Sequence, residues 1–229
     1  MQGSVYFKRL KEQLLEHALF DDMFIENMTN QADFKIAKAQ KFAELYYPHI
    51  LRTRLYQANT LGITPDENIQ FVLSDILYDE YGLGDAEKSH MQLYRNFMLA
   101  LDLQIKDASS YCIIPELQMY ISTMEQLTRN GDWLTAVAAV GVASEWPIPK
   151  YYRLLLKGLR NISGITDNDL ELFVGHIELD IEHSNMIEKS VMPYLNNEEN
   201  QKRFTRGVEI NMEARRILHA GLNREIFEQ

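Results

Sequence analysis

A single cysteine, Cys112, stands in this chain of 229 residues. No intrachain disulfide can form, and zinc sites built on paired thiolates are excluded. A reducing, cytoplasmic setting is the matching expectation. Basic residues are in deficit, with Lys+Arg 23 against Asp+Glu 33 and a formal net charge of −10. That balance repels nucleic-acid phosphate and anionic membrane, so neither is an expected partner. A long apolar run is also missing. The most apolar stretch, Trp133 to Ala143, falls well short of the roughly 20 residues that span a bilayer. The amino-terminal segment carries charges where a signal peptide needs an apolar core of about 7–15 residues, so a soluble chain without a secretion signal is expected. Glycine and proline are scarce too, eleven and six, which leaves long uninterrupted segments.

What fills those segments is rich in Leu, Glu, Lys, Gln, Met and Ala, the residues that favour helix. With 46% hydrophobic and 24% charged residues the chain can bury a core, and the absence of a linker predicts one domain over residues 1–229. The pattern predicts helices over Tyr6–Asn27, Asp33–Leu61 with a distortion at Pro48, and Thr64 to Glu80 with Thr64 as N-cap and Pro65 in the first turn. Tyr81-Gly82-Leu83-Gly84-Asp85 interrupts, and helix resumes over Ala86–Leu101. After a loop at 102–113 come Pro115–Thr128, a turn at Asn130-Gly131-Asp132, and a helix from Trp133 that stops before Pro147 and Pro149. Lys150–Asn161, Thr166–Met192 and Asn197–Phe227 complete an all-α bundle of seven or eight helices, with no strand and no fixed-period repeat.

The strongest chemical pattern is Phe173–Met186, where His176, Asp180 and His183 stand at i, i+4 and i+7. At about 100° per residue they share a wedge of roughly 60°. Val174, Ile177 and Ile181 flank it on one side and Leu172 and Leu179 on the other, so the stripe is expected to face inward, where polar groups need partners. Two core histidines hydrogen-bonded to Asp180 would satisfy the same pattern. Glu80 and His90 bracket the interruption after the third helix and can be aimed independently, although a surface loop capped by Asp85 is the plainer account. Glu145 closes an otherwise neutral helix, at the unfavourable negative end of its dipole, and calls for a positive partner: Lys150, an arginine or a metal. Together Glu80, His90, Glu145, His176, Asp180 and His183 offer oxygen and nitrogen donors without thiolate, a set suited to two Fe(II) ions, or manganese, rather than structural zinc. A second assignment reads Glu87-x-x-His90 and Asp180-x-x-His183 as paired dimetal motifs, with Glu44 and Glu145 as lone carboxylates and His176 unused.

Asp79-Glu80-Tyr81-Gly82-x-Gly84-Asp85 leading to His90, Glu145 followed by Pro147 and Pro149, and His176-x3-Asp180-x2-His183 resemble the haem-oxygenase-like dimetal oxidases. These are grouped with TenA/PqqC-like and iron-containing redox enzyme proteins and with a chlamydial death-domain-associated protein. The resemblance covers roughly residues 10–225. It implies a haem-oxygenase-like helical bundle with an interior diiron site, where Glu80, Glu145 and the histidines hold ions that activate dioxygen. Two departures matter. Phe20 stands where the p-aminobenzoate-forming relative uses a tyrosine, and Cys112 does not match the nucleophile of TenA thiaminases, so neither p-aminobenzoate formation nor thiamin salvage is expected.

The reading is a non-haem diiron oxidase or oxygenase that takes O2 and a small carboxylate-bearing metabolite of amino acid or fatty acid type. Tyr46, Tyr47, His49 and Arg52 on the second helix, with Tyr151 and Tyr152 beyond the prolines, are candidate pocket residues, Arg52 pairing with the carboxylate. Gln201-Lys202-Arg203 and Arg215-Arg216 are assigned to a solvated face of the last helix. A metal-free TenA/PqqC-like enzyme or ligand-binding protein is the alternative, and a helical interaction protein the third. A homodimer is the base-rate expectation.

Overall fold

A computed structural model describes residues 2–30 and 34–228. Among these the chain is helical, without strands. The helices are α1 Gln2–Leu15, α2 Met23–Thr29, α3 Ile36–Ile50, α4 Thr53–Ile63, α5 Glu67–Glu80, α6 His90–Ala100, α7 Pro115–Asn130, α8 Trp133–Val137, α9 Ala143–Glu145, α10 Ile148–Leu159, α11 Glu171–Val191 and α12 Glu198–Phe227. No described helix is long and apolar enough to cross a membrane.

Local capping explains why there are more segments than the periodicity predicts. The first expected helix divides because the His17 ring accepts from the Leu19 amide, and the Asp22 carboxylate accepts from the Ile25 amide to start α2. The second divides at Leu51–Arg52, just beyond Pro48; its predicted start, Asp33, lies outside the described residues. The cap of α5 is Asp66, which accepts from the Ile69 amide at 2.9 Å, rather than Thr64. Thr64 ends α4, its hydroxyl donating to the Thr60 carbonyl. Thr166 and Asp169 do pair, at 2.6 and 2.8 Å, but as a turn that precedes α11.

The longest helix, α12, packs against α7, α8, α2 and α3 and organises the bundle. Its inner face carries Phe204, Val208, Met212, Leu218, Leu222 and Ile226, all buried. Through this face runs a polar ladder at four-residue spacing: Asn211, Arg215, His219 and Asn223, likewise buried. Asn211 donates to the Ala139 carbonyl at 2.5 Å, His219 pairs with Asp22 at 2.7 Å, and Asn223 accepts from Asn27 at 2.8 Å. Arg215 therefore does not face solvent. Of the two adjacent arginines only Arg216 does, paired with Glu213, while Arg203 reaches Asp132 ahead of α8.

Close approach of α12 to α8 rests on Gly207, where a Cβ would run into the Thr135 carbonyl and lie 2.9 Å from the Ala138 Cβ. Gly207→Ala is expected to cost about 1–3 kcal/mol, the usual toll of overpacking, measured by urea unfolding. Burial holds the His219 ring below the ordinary histidine pKa, against the opposing pull of Asp22. The unfolded chain then takes up a proton below about pH 6.5 that the folded chain refuses, so stability falls as pH drops through that value. Unfolding curves between about pH 7.5 and about pH 5 should show a shallower decline in His219→Asn than in the wild type.

Candidate metal centre

The middle of α11 is buried by Leu172, Phe173 and Ile187, whereas Ile181, expected on the inner flank, is exposed. Opposite α11 the chain runs through a π-helical stretch, Ala138–Val142, between α8 and α9. The Ala143 amide donates to the Ala138 carbonyl, five residues back. The extra residue re-phases the helix just before Glu145. Gly141 lets α11 come close, since a Cβ there would meet Ile187 at 2.9 Å. The result is one tight group in which single donor atoms of Glu145, Asp180 and His183 all lie within 4.8 Å of one another.

This group is poorly satisfied by protein alone. Asp180 is 2% exposed, Glu145 is 7% exposed, and Asp180 Oδ1 has no hydrogen-bond partner. Burial, then the nearby Glu145 and Glu80 carboxylates, push the Asp180 carboxyl well above its usual range. His183 Nδ1 faces Glu145 Oε2 at 3.5 Å and Asp180 Oδ1 at 3.8 Å, while its Nε2 meets Asp79 Oδ2 at 2.7 Å. Burial lowers the pKa of this imidazole, but Glu145 and Asp79 outweigh it and raise the value to about 9. Crowded carboxylates, one orphaned oxygen and a histidine whose far nitrogen is held by a second acid form a donor set that a cation would fit.

A second trio adjoins it. His90 Nδ1 lies 3.1 Å from Glu80 Oε2 and 3.1 Å from His176 Nε2. The break after α5 achieves this with positive-φ residues Gly82, Leu83 and Gly84, and Ser89 caps α6 so that His90 is its first residue. At Gly82 a Cβ would stand 2.6 Å from the Lys88 carbonyl carbon, so the tight return needs glycine. His176 Nδ1 contacts the Leu172 carbonyl at 2.5 Å, which fixes the proton on that nitrogen and leaves Nε2 bare. Burial and His90 hold His176 down to about 3. Burial acts to raise Glu80, but His90, His176 and His183 overcome it and bring it to about 2. A shared amide joins the two trios, Gln57 Nε2 lying 3.3 Å from Glu145 Oε1 and 3.5 Å from Glu80 Oε1.

Five of the six residues in the two trios, all but His183, line a cavity of about 70 Å³. Of the residues expected on its wall, Tyr46, His49 and Tyr152 line it; Tyr47, Arg52 and Tyr151 are not part of the lining. Tyr47 accepts from Arg95, and Arg52 donates back to the Pro48 carbonyl. The alternative acids stand elsewhere, Glu87 exposed in the turn after Asp85 and Glu44 paired with Lys106 at 2.7 Å. Lys150 reaches the Leu15 carbonyl instead of Glu145. Sequence reasoning missed Gln57, Tyr56, Arg215 and the supporting role of Asp79. Only Asp79, next to Glu80, had a visible signal.

Asp79 orients His183 through its distal nitrogen, so Asp79→Asn should weaken Fe(II) binding by about 10-fold or more, as loss of such outer support does. A competition titration against a coloured ferrous chelator measures this.

The fold is shared with solved structures of low sequence identity. A CADD-like protein of unknown function from Nostoc punctiforme is 20% identical, with 98% of each chain covered and a TM-score of 0.79. A TenA homolog from Pseudomonas syringae pv. tomato is 13% identical, with 100% of this chain and 92% of that one covered and a TM-score of 0.71. A domain of unknown function with a heme oxygenase-like fold from Shewanella denitrificans is 13% identical, covering 97% and 94%, also at 0.71. Comparison with curated proteins gave no match. Residues 40–216 match the family model described as iron-containing redox enzyme. With the matched span enclosing both trios, the chain belongs to the iron-containing redox enzyme family.

Proposed function

We propose that this chain is a non-haem diiron oxidase or oxygenase that uses O2 to oxidise a small carboxylate-bearing metabolite. The observation that carries the reading is the pair of adjoining trios, Glu145–Asp180–His183 and Glu80–His90–His176, around one cavity. Three carboxylates and three imidazoles would hold two Fe(II) ions, with manganese as the next best fit to such donors. When bound, ferrous iron would supply electrons for the reduction of dioxygen.

The chain's own residues have separable parts in this scheme. The Leu172 carbonyl keeps the His176 proton on Nδ1, so Nε2 stays a lone-pair donor. Asp79 does the same service for His183 Nδ1 by holding Nε2–H. Gln57 spans Glu80 and Glu145 and keeps the two acids at a set spacing. Val140, Ile148 and Leu172 on the cavity wall limit water around the reacting groups, which strengthens every polar interaction there.

A metal-free TenA/PqqC-like enzyme is the second reading. It draws on the short Glu80–His90 and Asp79–His183 contacts, which partly neutralise the acids within the protein. Anaerobic Fe(II) titration of protein purified without chelator, followed by oxygen-uptake measurement, separates the two. The diiron reading expects two ions per chain, a loss of binding in His176→Ala and Glu145→Ala, and oxygen uptake that depends on iron. Binding far below one ion per chain after reconstitution, or unchanged binding in His176→Ala, would sink it and favour the metal-free enzyme.

A further inference from the structure

Within the polar ladder of α12, Arg215 carries a fixed buried charge that the Asp180 carboxyl feels only at a distance. Arg215 is 4% exposed, and neither its Nε nor its Nη1 has a hydrogen-bond partner. The Tyr120 hydroxyl is a hydrogen-bonding neighbour, with Tyr46 and Tyr151 nearby, and among the described residues Arg215 forms no ion pair with a carboxylate. A guanidinium cannot shed its proton to relieve burial, and a buried charge without an ion-pair contact is destabilising. Neutral phenols do not offset that. The chain therefore carries a standing liability at a fixed place, on the wall of the same cavity as the two trios.

The liability has company. His49 Nδ1 and Tyr56 Oη also lack partners, are buried, and belong to residues lining that cavity. Each is a group that a ligand oxygen would satisfy. The unpartnered Nε and Nη1 lie on different edges of the guanidinium, so each offers a single N–H donor to a ligand oxygen, and the Tyr56 hydroxyl on the same cavity wall adds a further donor. Size constrains the ligand as well. A water needs roughly 10–15 Å³ of such space, so about 70 Å³ accommodates a handful of non-hydrogen atoms.

We propose that Arg215 anchors the substrate carboxylate, with Tyr56 and His49 completing the subsite, and that the substrate is a compact acid of amino-acid size rather than a long-chain fatty acid. This rests on the oxidase reading for the word substrate, but the anion subsite stands on Arg215 and the cavity alone.

The test uses the full chain stripped of metal and titrated calorimetrically with propionate, its uncharged isostere propionamide, and octanoate, at matched ionic strength. Propionate is expected to bind in the millimolar range, propionamide not to bind, and octanoate to bind no tighter than propionate. Arg215→Met should weaken propionate by at least about tenfold and Arg215→Lys by less. Because a buried unpaired charge is removed, Arg215→Met should also unfold at the same or higher urea concentration than the wild type. Equal binding of propionate and propionamide, no propionate binding, undiminished binding in Arg215→Met, or a less stable Arg215→Met each overturn the anchor. Octanoate binding tenfold tighter than propionate would overturn the compact-acid assignment. Fe(II) titration of both proteins keeps the two readings apart: wild-type iron stoichiometry in Arg215→Met with lost propionate binding supports both, absent iron in the wild type with its propionate discrimination intact sinks only the diiron reading, and intact iron in Arg215→Met with no effect on propionate sinks only the anchor.

Discussion

Carrying three carboxylates and three imidazoles into an apolar bundle is unfavourable unless opposite charges meet, and the interior of this molecule is arranged around that constraint. Glu80 finds His90, His183 finds Asp79 and Glu145, and Gln57 stretches between two acids. Asp180 is left over. With Glu145 and Glu80 near and no hydrogen bond on one oxygen, its carboxyl is pushed toward the protonated form. A divalent cation would reverse that preference at once, since a positive charge among the donors favours the ionised acid. Acids crowded in this way would be eased by a cation, whereas a satisfied core would gain nothing from one.

The helical architecture follows from the constraint at several points. Placing Glu145 on the inner face needs the π-helical stretch Ala138–Val142, because a regular helix from Trp133 would present that position at a different angle. Bringing His90 back to Glu80 needs the left-handed backbone at Gly82, Leu83 and Gly84. Asn211 on α12 secures the π stretch by donating to the Ala139 carbonyl and to Ser144, so the long helix supports the very segment that positions Glu145. Irregular backbone is concentrated beside the donors, as expected where local strain serves a site.

Most of the helices, and the shared face of His176, Asp180 and His183, were legible in the sequence because both depend on short-range spacing. The i, i+4, i+7 pattern of His176, Asp180 and His183 survives folding unchanged, and glycines at 82 and 84 mark the break that frees Glu80 and His90. What could not be read depends on tertiary phase. Thr64 and Asp66 are both competent caps, and only the surrounding backbone decides between them. Ile181 looks like a core residue by periodicity, but it is exposed while Val174 and Ile177 on the same flank pack against the core. Arg52 and Arg215 illustrate the limit best. Arg52 lies beside the tyrosines of α3 and reads as a pocket residue, while Arg215 sits next to another arginine and reads as solvated surface. The four-residue spacing of Asn211, Arg215, His219 and Asn223 was present in the sequence, yet a polar ladder looks the same whether it faces water or a core.

The donors and the anchor also come from different parts of the chain. Glu80, His90, Glu145, His176, Asp180 and His183 belong to α5, α6, α9 and α11, whereas Arg215, His49 and Tyr56 belong to α12, α3 and α4. Under the proposed reading, redox chemistry and substrate recognition would fall to separate elements that meet at the cavity. Changes at Arg215, His49 or Tyr56 would reshape the ligand end, whereas changes at Asn211 on α12 or Gln57 on α4 would also reach Glu145, and changes on α11 would disturb both the donors and the core. The bundle itself persists through wide sequence change, as a TM-score of 0.71 with a TenA homolog at 13% identity shows, so the function of this chain is argued from the residues facing the cavity and not from the fold.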